Sequence, residues 1–157
     1  MKTKIAVIAA LVASLTFANA AEKVKAPNGG RIIDAVEPHA EFLITAEKKV
    51  EVRFLDDAGK VVAPAAQTVT VTMGDRAAPT KLAFTKDGDK LVSDKTIPEG
   101  KELPVVVQIK VTPDAKTVTE KFNLNLAKCP TCSNAEYACT CAHGGEKKEA
   151  GHEGHDH

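Results

Sequence analysis

The sequence has few aromatic residues and no net charge. Of its 157 residues only 4% are aromatic, with five Phe, one Tyr and no Trp, so Val, Ile, Leu and Ala must fill most of any core. Twenty-one basic residues balance 21 acidic ones. This balance argues against nucleic acid or an anionic membrane surface as a partner. Hydrophobic residues at 43% and charged residues at 27% are typical of a globular protein.

A long apolar run is also missing. The apolar stretch 5–17 is shorter than the roughly 20 residues that a membrane-spanning helix needs. It follows Lys2 and Lys4 and precedes the small residues 18–20, a pattern typical of a signal peptide. We therefore expect cleavage of residues 1–20, a mature chain without a membrane span, and a periplasmic or secreted location. An uncut N-terminal anchor is the alternative.

Apolar residues between about Gly30 and Leu126 recur at every second position, the period of a β-strand. Val50, Val52 and Phe54 fall on one face of such a strand, with charged residues between them. Segments of this kind are 39–45, 50–55, 67–73, 82–85, 91–92, 104–112 and 118–126. Seven or eight short strands separated by turns predict an all-β domain over 21–127, an immunoglobulin-like β-sandwich. A closed barrel is the alternative.

Cysteine is absent from the first 128 residues and then occurs four times within 13. Cys129 and Cys132 form one pair, and Cys139 and Cys141 form a second pair six residues later. Two such pairs can complete a tetrahedral thiolate shell, as in structural zinc sites. The second pair departs from zinc-finger spacing, and closely spaced thiolates also suit Cu(I). We therefore predict a zinc- or copper-binding segment over 128–143, with Tyr137 covering the loop.

Two other interpretations of these cysteines remain open. An exported protein enters an oxidising compartment, where the four thiols could form two disulfides in any of three pairings. A thiol-redox role would need an exposed cysteine of low pKa, for which the Cys129–Cys132 pair has a suitable spacing.

Four of the five histidines fall in the last 15 residues. Neutral imidazole is a ligand for zinc, copper and nickel, so these residues are further candidate ligands. They are His143, His152, His155 and His157. The segment 144–157 is rich in Gly, Glu, Lys and His and is predicted to be a disordered tail. A solvated polar tail without a metal is the simpler interpretation.

His39 and Glu41 lie two positions apart in a predicted strand and share one of its faces, where they could form half of a metal or hydrogen-bonding site. A solvent-facing pair without function is the commoner case. The sequence has no nucleophile elbow, no Gly-rich phosphate loop and no HExxH motif. We therefore do not expect an enzyme.

Three segments together carry a family resemblance: Pro27-Asn-Gly-Gly30, His39-Ala-Glu-Phe-Leu43 and Val50–Lys60. They resemble a small β module of the bacterial envelope that occurs alone or beside the periplasmic adaptor subunits of heavy-metal efflux systems. The resemblance implies a metal-related role. His39 and Glu41 are the only residues that it carries over, because the family has a His and a Glu in the corresponding strand. That family typically has His before the Gly-Gly pair, where this chain has Asn28.

The predicted function is an exported protein that binds zinc or copper for buffering, storage or delivery, with an envelope protein as a further partner. The alternative is a non-enzymatic structural or interaction module of the envelope whose tail is stapled by disulfides.

Overall fold

The chain is all-β. The computed structural model describes residues 23–141, which form ten strands and one three-residue 3-10 helix. The elements are β1 Arg31–Ile33, β2 His39–Ile44, β3 Lys49–Leu55, β4 Val61–Val62, β5 Thr68–Met73, β6 Thr80–Leu82, β7 Phe84–Asp87, β8 Lys90–Thr96, β9 Glu102–Lys110, β10 Val118–Asn125 and the helix η1 Glu136–Ala138.

The strands form two antiparallel sheets. The first has the order β1-β2-β3-β8-β7, with β4 also pairing with β3, and the second has the order β10-β9-β5-β6. This arrangement confirms the all-β prediction and is consistent with a β-sandwich. The extra strands beyond the expected seven or eight are mostly very short, such as β4 with two residues. A closer relation to immunoglobulin-like domains stays a prediction.

The alternating residues of the central strands build the core, as their period predicts. Val50, Val52 and Phe54 of β3 are fully buried. Between them, Glu51 accepts hydrogen bonds from Arg53 Nη2 at 2.9 Å and Lys90 Nζ at 2.7 Å. Burial acts to raise the pKa of Glu51, but these two donors outweigh it and hold the pKa below its usual value.

The predicted strand 82–85 is wrong as a single unit. Leu82 ends β6 in the second sheet and Phe84 begins β7 in the first, so the chain passes between sheets at Ala83. Asp94 holds this crossing, because its carboxylate accepts from the Ala83 amide at 3.0 Å and its amide donates to the Ala83 carbonyl at 2.9 Å. Alternation alone could not reveal the change of sheet, since both sheets share the same period.

Two predictions fall outside the described residues: the signal peptide 1–20 and the tail 144–157. Within 23–141, no helix has the length and apolar character needed to cross a bilayer.

Candidate metal centre

The first cysteine pair lies on a tight turn that follows the last strand. The Cys129 amide donates to the Asn134 carbonyl at 2.9 Å, and Lys128 and Ala135 form an isolated antiparallel bridge. The Glu136 amide closes the same hairpin by donating to the Ala127 carbonyl at 2.8 Å. These bonds fold residues 129–134 back on themselves, so both thiols of the pair are held at one end of the hairpin.

The helix η1 brings the second pair to the first. The Ala138 amide donates to the Ala135 carbonyl at 3.0 Å, and the Cys139 amide donates to the Glu136 carbonyl at 3.2 Å. Cys139 therefore stands at the end of η1, in a position fixed by backbone hydrogen bonds. Two residues later, the Cys141 amide lies 3.4 Å from Cys139 Sγ and donates to it.

The four sulfur atoms converge. The Sγ atoms of Cys129, Cys132, Cys139 and Cys141 all lie within 4.8 Å of one another. Cys139 Sγ is 3.3 Å from Cys129 Sγ and 3.7 Å from Cys132 Sγ. A tetrahedral zinc ion with bonds of about 2.3 Å places its sulfur ligands about 3.8 Å apart. The cluster is therefore close to the size of a four-sulfur metal shell, and it could hold a metal ion.

Crowding of the thiols alters their protonation. The hydrogen bond with Cys139 is the main cause that raises the pKa of Cys141 to about 12, with partial burial and Cys132 adding to it. The Cys141 amide acts to lower the pKa of Cys139, but Cys129 and burial outweigh it and raise that pKa. Without a cation, both thiols keep their protons at neutral pH. A bound cation would reverse this preference, because it stabilises thiolates.

The cluster has a closed side and an open side. Cys129 is 2% exposed and belongs to the buried part of the protein, whereas the other three cysteines are partly exposed. Cys132, Cys139 and Cys141 carry thiols in this structure, and the two separations at Cys139 exceed a disulfide length of about 2.05 Å. An ion could therefore enter from the solvent side.

The predicted histidine ligands His143, His152, His155 and His157 lie outside the described residues, which end at Cys141.

The Glu41 carboxylate holds the turn at 28–30 by accepting hydrogen bonds. It is 0% exposed, and its Oε1 accepts from the amides of Asn28 at 2.9 Å and Gly30 at 3.0 Å. Its Oε2 accepts from Asn28 Nδ2 at 2.9 Å. Gly30 must lack a side chain, because a Cβ there would lie 2.5 Å from the Phe42 carbonyl oxygen. Glu41 thus shares a strand face with His39, as predicted, but its oxygens already serve the turn.

His39 instead lies in a second group of possible ligands, which the sequence did not indicate. Its Nε2 is 3.8 Å from both Glu37 Oε2 and Asp57 Oδ1. Asp57 reaches this place because β2 pairs with β3 in the register that sets His39 opposite Leu55. His39 Nδ1 is buried without a hydrogen-bond partner. A metal on Nε2 would place the ring proton on Nδ1, where no acceptor receives it, so this group is a poor metal site.

Comparisons of the chain with protein-family models, with curated proteins and with solved structures give no match. The cysteine cluster is therefore the observation on which a functional assignment depends.

Proposed function

We propose that this chain is an exported metal-binding protein of the cell envelope that holds a zinc or copper ion for buffering, storage or delivery. The observation that carries the proposal is the convergence of four sulfur atoms within 4.8 Å, brought together from two pairs six residues apart. Thiolates are strong ligands for soft and borderline cations, so four sulfur atoms at this separation suit a metal ion.

Zinc is the first candidate for the ion. A four-sulfur shell near tetrahedral size is the usual structural zinc arrangement, and the separations of 3.3 and 3.7 Å at Cys139 suit it. Cu(I) is the alternative, because soft thiolates also select it.

Three features of the sequence support a metal-binding protein of the envelope. The N-terminal pattern predicts export. Segments within 27–60 resemble envelope modules that occur beside heavy-metal efflux adaptors. The imidazoles of His143, His152, His155 and His157 would add capture capacity next to the thiolates. The lack of catalytic motifs in the sequence favours binding rather than catalysis, and delivery would require an envelope protein as partner.

Elemental analysis and native mass spectrometry of protein purified without a chelator or an affinity tag test the proposal. We expect zinc or copper in stoichiometric amount, and loss of that ion in a Cys129→Ser, Cys132→Ser double variant. The variant His39→Asn is the matched control and should keep the ion, because His39 lies in the second group.

A reduced wild-type protein that retains neither Zn²⁺ nor Cu(I) at micromolar concentration would contradict the proposal. In protein purified from the export compartment without a reductant, the absence of both a bound metal and free thiols would favour the disulfide-stapled envelope module instead.

A further inference from the structure

Tyr137 lies in the loop that joins the two cysteine pairs, and it points into the sandwich. Its side chain is 5% exposed, so the expected role of covering the cysteine loop is replaced by insertion into the core. Its hydroxyl oxygen accepts from the Ile44 amide at 3.1 Å, and its ring meets Phe42 edge to face at a centroid distance of 6.1 Å. The loop is therefore anchored on β2 of the first sheet.

Arg31 ties the same loop to both sheets. Its Nη1 donates to the Tyr137 carbonyl at 3.3 Å. Its Nη2 forms an ion pair with Glu120 Oε1 at 3.0 Å, and its guanidinium lies 4.7 Å from the centre of the Phe122 ring. Arg31 is in β1 of the first sheet, whereas Glu120 and Phe122 are in β10 of the second. The Arg31 side chain thus fixes the helix η1 at the place where the edges of the two sheets meet.

These contacts determine where the second cysteine pair stands. Cys139 follows Tyr137 by two residues and is bonded through its amide to η1. Bringing the two cysteine pairs together closes a loop, which lowers the conformational entropy of the chain. If the loop is already ordered before the ion binds, this entropy cost no longer reduces the binding free energy. We propose that Tyr137 and Arg31 are positioning residues of the metal centre, which dock the cysteine loop on the sandwich in the form that binds an ion.

The inference rests on the proposed metal binding and adds a reciprocal effect to it. If docking raises the affinity for the ion by some factor, ion binding must favour docking by the same factor. Ion binding should therefore shield Tyr137, and loss of the Tyr137 contacts should weaken ion binding.

The affinity arm of the test compares Zn²⁺ binding of the purified chain and its variants by competition with a chromophoric chelator. We expect Tyr137→Ala to lower the affinity by about 10- to 100-fold, as is typical when residues that support metal ligands are lost. Tyr137→Phe keeps the ring and loses only the hydroxyl, so its loss should be smaller. Arg31→Gln should lower the affinity while leaving all four sulfur ligands in place.

The matched control is Leu91→Ala. Leu91 is a buried residue of β8, a strand that pairs only with β3 and β7 among the described strands. This variant should lose stability without losing affinity for Zn²⁺. An equal loss of affinity in Leu91→Ala would show that general destabilisation explains the effect, and would overturn the inference.

The docking arm uses the fact that Tyr137 is the only tyrosine in a chain without tryptophan. Its fluorescence therefore reports on one position. Zn²⁺ should reduce quenching by acrylamide in the wild type and should not do so in the double variant Cys129→Ser, Cys132→Ser.

The outcomes separate the two proposals. If Tyr137→Ala binds Zn²⁺ stoichiometrically with unchanged affinity, the positioning role is overturned and the metal function stays intact. If Tyr137→Ala does not fold, the same result in both Tyr137→Phe and Arg31→Gln has that meaning. A wild type that binds no ion at all overturns both.

Discussion

The sandwich and the cysteine segment 128–141 are held together by different means. The sandwich buries alternating apolar side chains from two multi-stranded sheets, and almost all of its core comes from strands. The cysteine segment contributes mainly Cys129, Tyr137 and Ala138 to the buried set, and one isolated bridge joins its two halves. The sandwich is therefore stabilised mainly by hydrophobic burial, whereas the segment depends on the contacts of Tyr137 and Arg31 and on what its sulfurs bind.

The largest expected effect tests whether the sandwich is independent of the metal. Phe54→Ala removes a fully buried ring from β3 and should lower the free energy of unfolding by about 3–5 kcal/mol, since it leaves a cavity. Denaturant unfolding should give the same loss in chelator and in saturating Zn²⁺. Phe84→Ala, at a half-buried edge position, is the control with a smaller loss. A loss that differs between chelator and saturating Zn²⁺ would break the distinction between the two regions, because stabilisation by mass action alone is the same in both proteins.

The second effect is the pH dependence of ion affinity, which arises within the cysteine segment. The pKa values of Cys139 and Cys141 are raised, that of Cys141 to about 12, so both thiols must release protons when an ion binds. These two protons alone make the affinity rise by at least about a hundredfold per pH unit between roughly pH 6 and 8, and each proton that Cys129 or Cys132 releases on binding steepens the slope. Chelator competition at several pH values measures the slope, and proton release can be followed directly. An affinity independent of pH would mean that these thiols do not ligate the ion.

A smaller effect tests the turn at 28–30 that Glu41 holds. Glu41→Gln replaces an acceptor oxygen by an amide that faces the donors of Asn28 or Gly30, and should cost about 1–3 kcal/mol in unfolding free energy. Glu99→Gln, at an exposed position, should cost almost nothing. Zn²⁺ affinity should change less in Glu41→Gln than in Tyr137→Ala. The opposite order would make the turn, rather than η1, the support of the cysteine loop.

The smallest effect reports on the contact between the two regions. Burial raises the pKa of Tyr137 above its usual value, although the Ile44 amide acts against the shift. The stability that this buried phenol contributes is therefore fully present below its unfolded pKa of about 10 and is lost as pH rises through the folded value. Absorbance titration of this single tyrosine should show a midpoint above that of an unfolded control. Equal midpoints would show that the segment is not docked.

Much of the fold could be predicted because the apolar residues that recur at every second position of the sequence are the residues that the strands bury. In β3 and β5 every second residue is apolar, and those residues are buried in the structure. The prediction was wrong at Leu82 and Phe84, where the chain changes sheet without changing period. The cysteine cluster could be located from spacing alone, because four thiols so close in sequence have little room to separate.

The roles of Tyr137 and Glu41 could not be predicted, since their partners are distant in sequence. Tyr137 binds Ile44 across 93 residues, and Glu41 binds a turn that begins 13 residues earlier. Hydrogen bonds over such separations leave no local pattern.

By itself the sequence determined a β domain and a cysteine cluster beside a histidine-rich end, because alternation and ligand spacing are local properties of the chain. Only the tertiary structure decided which charged groups are buried, where the chain changes sheet and how the cysteine loop is anchored. Those features depend on which surfaces meet when the two sheets pack. Contacts between residues far apart in the sequence determine this packing.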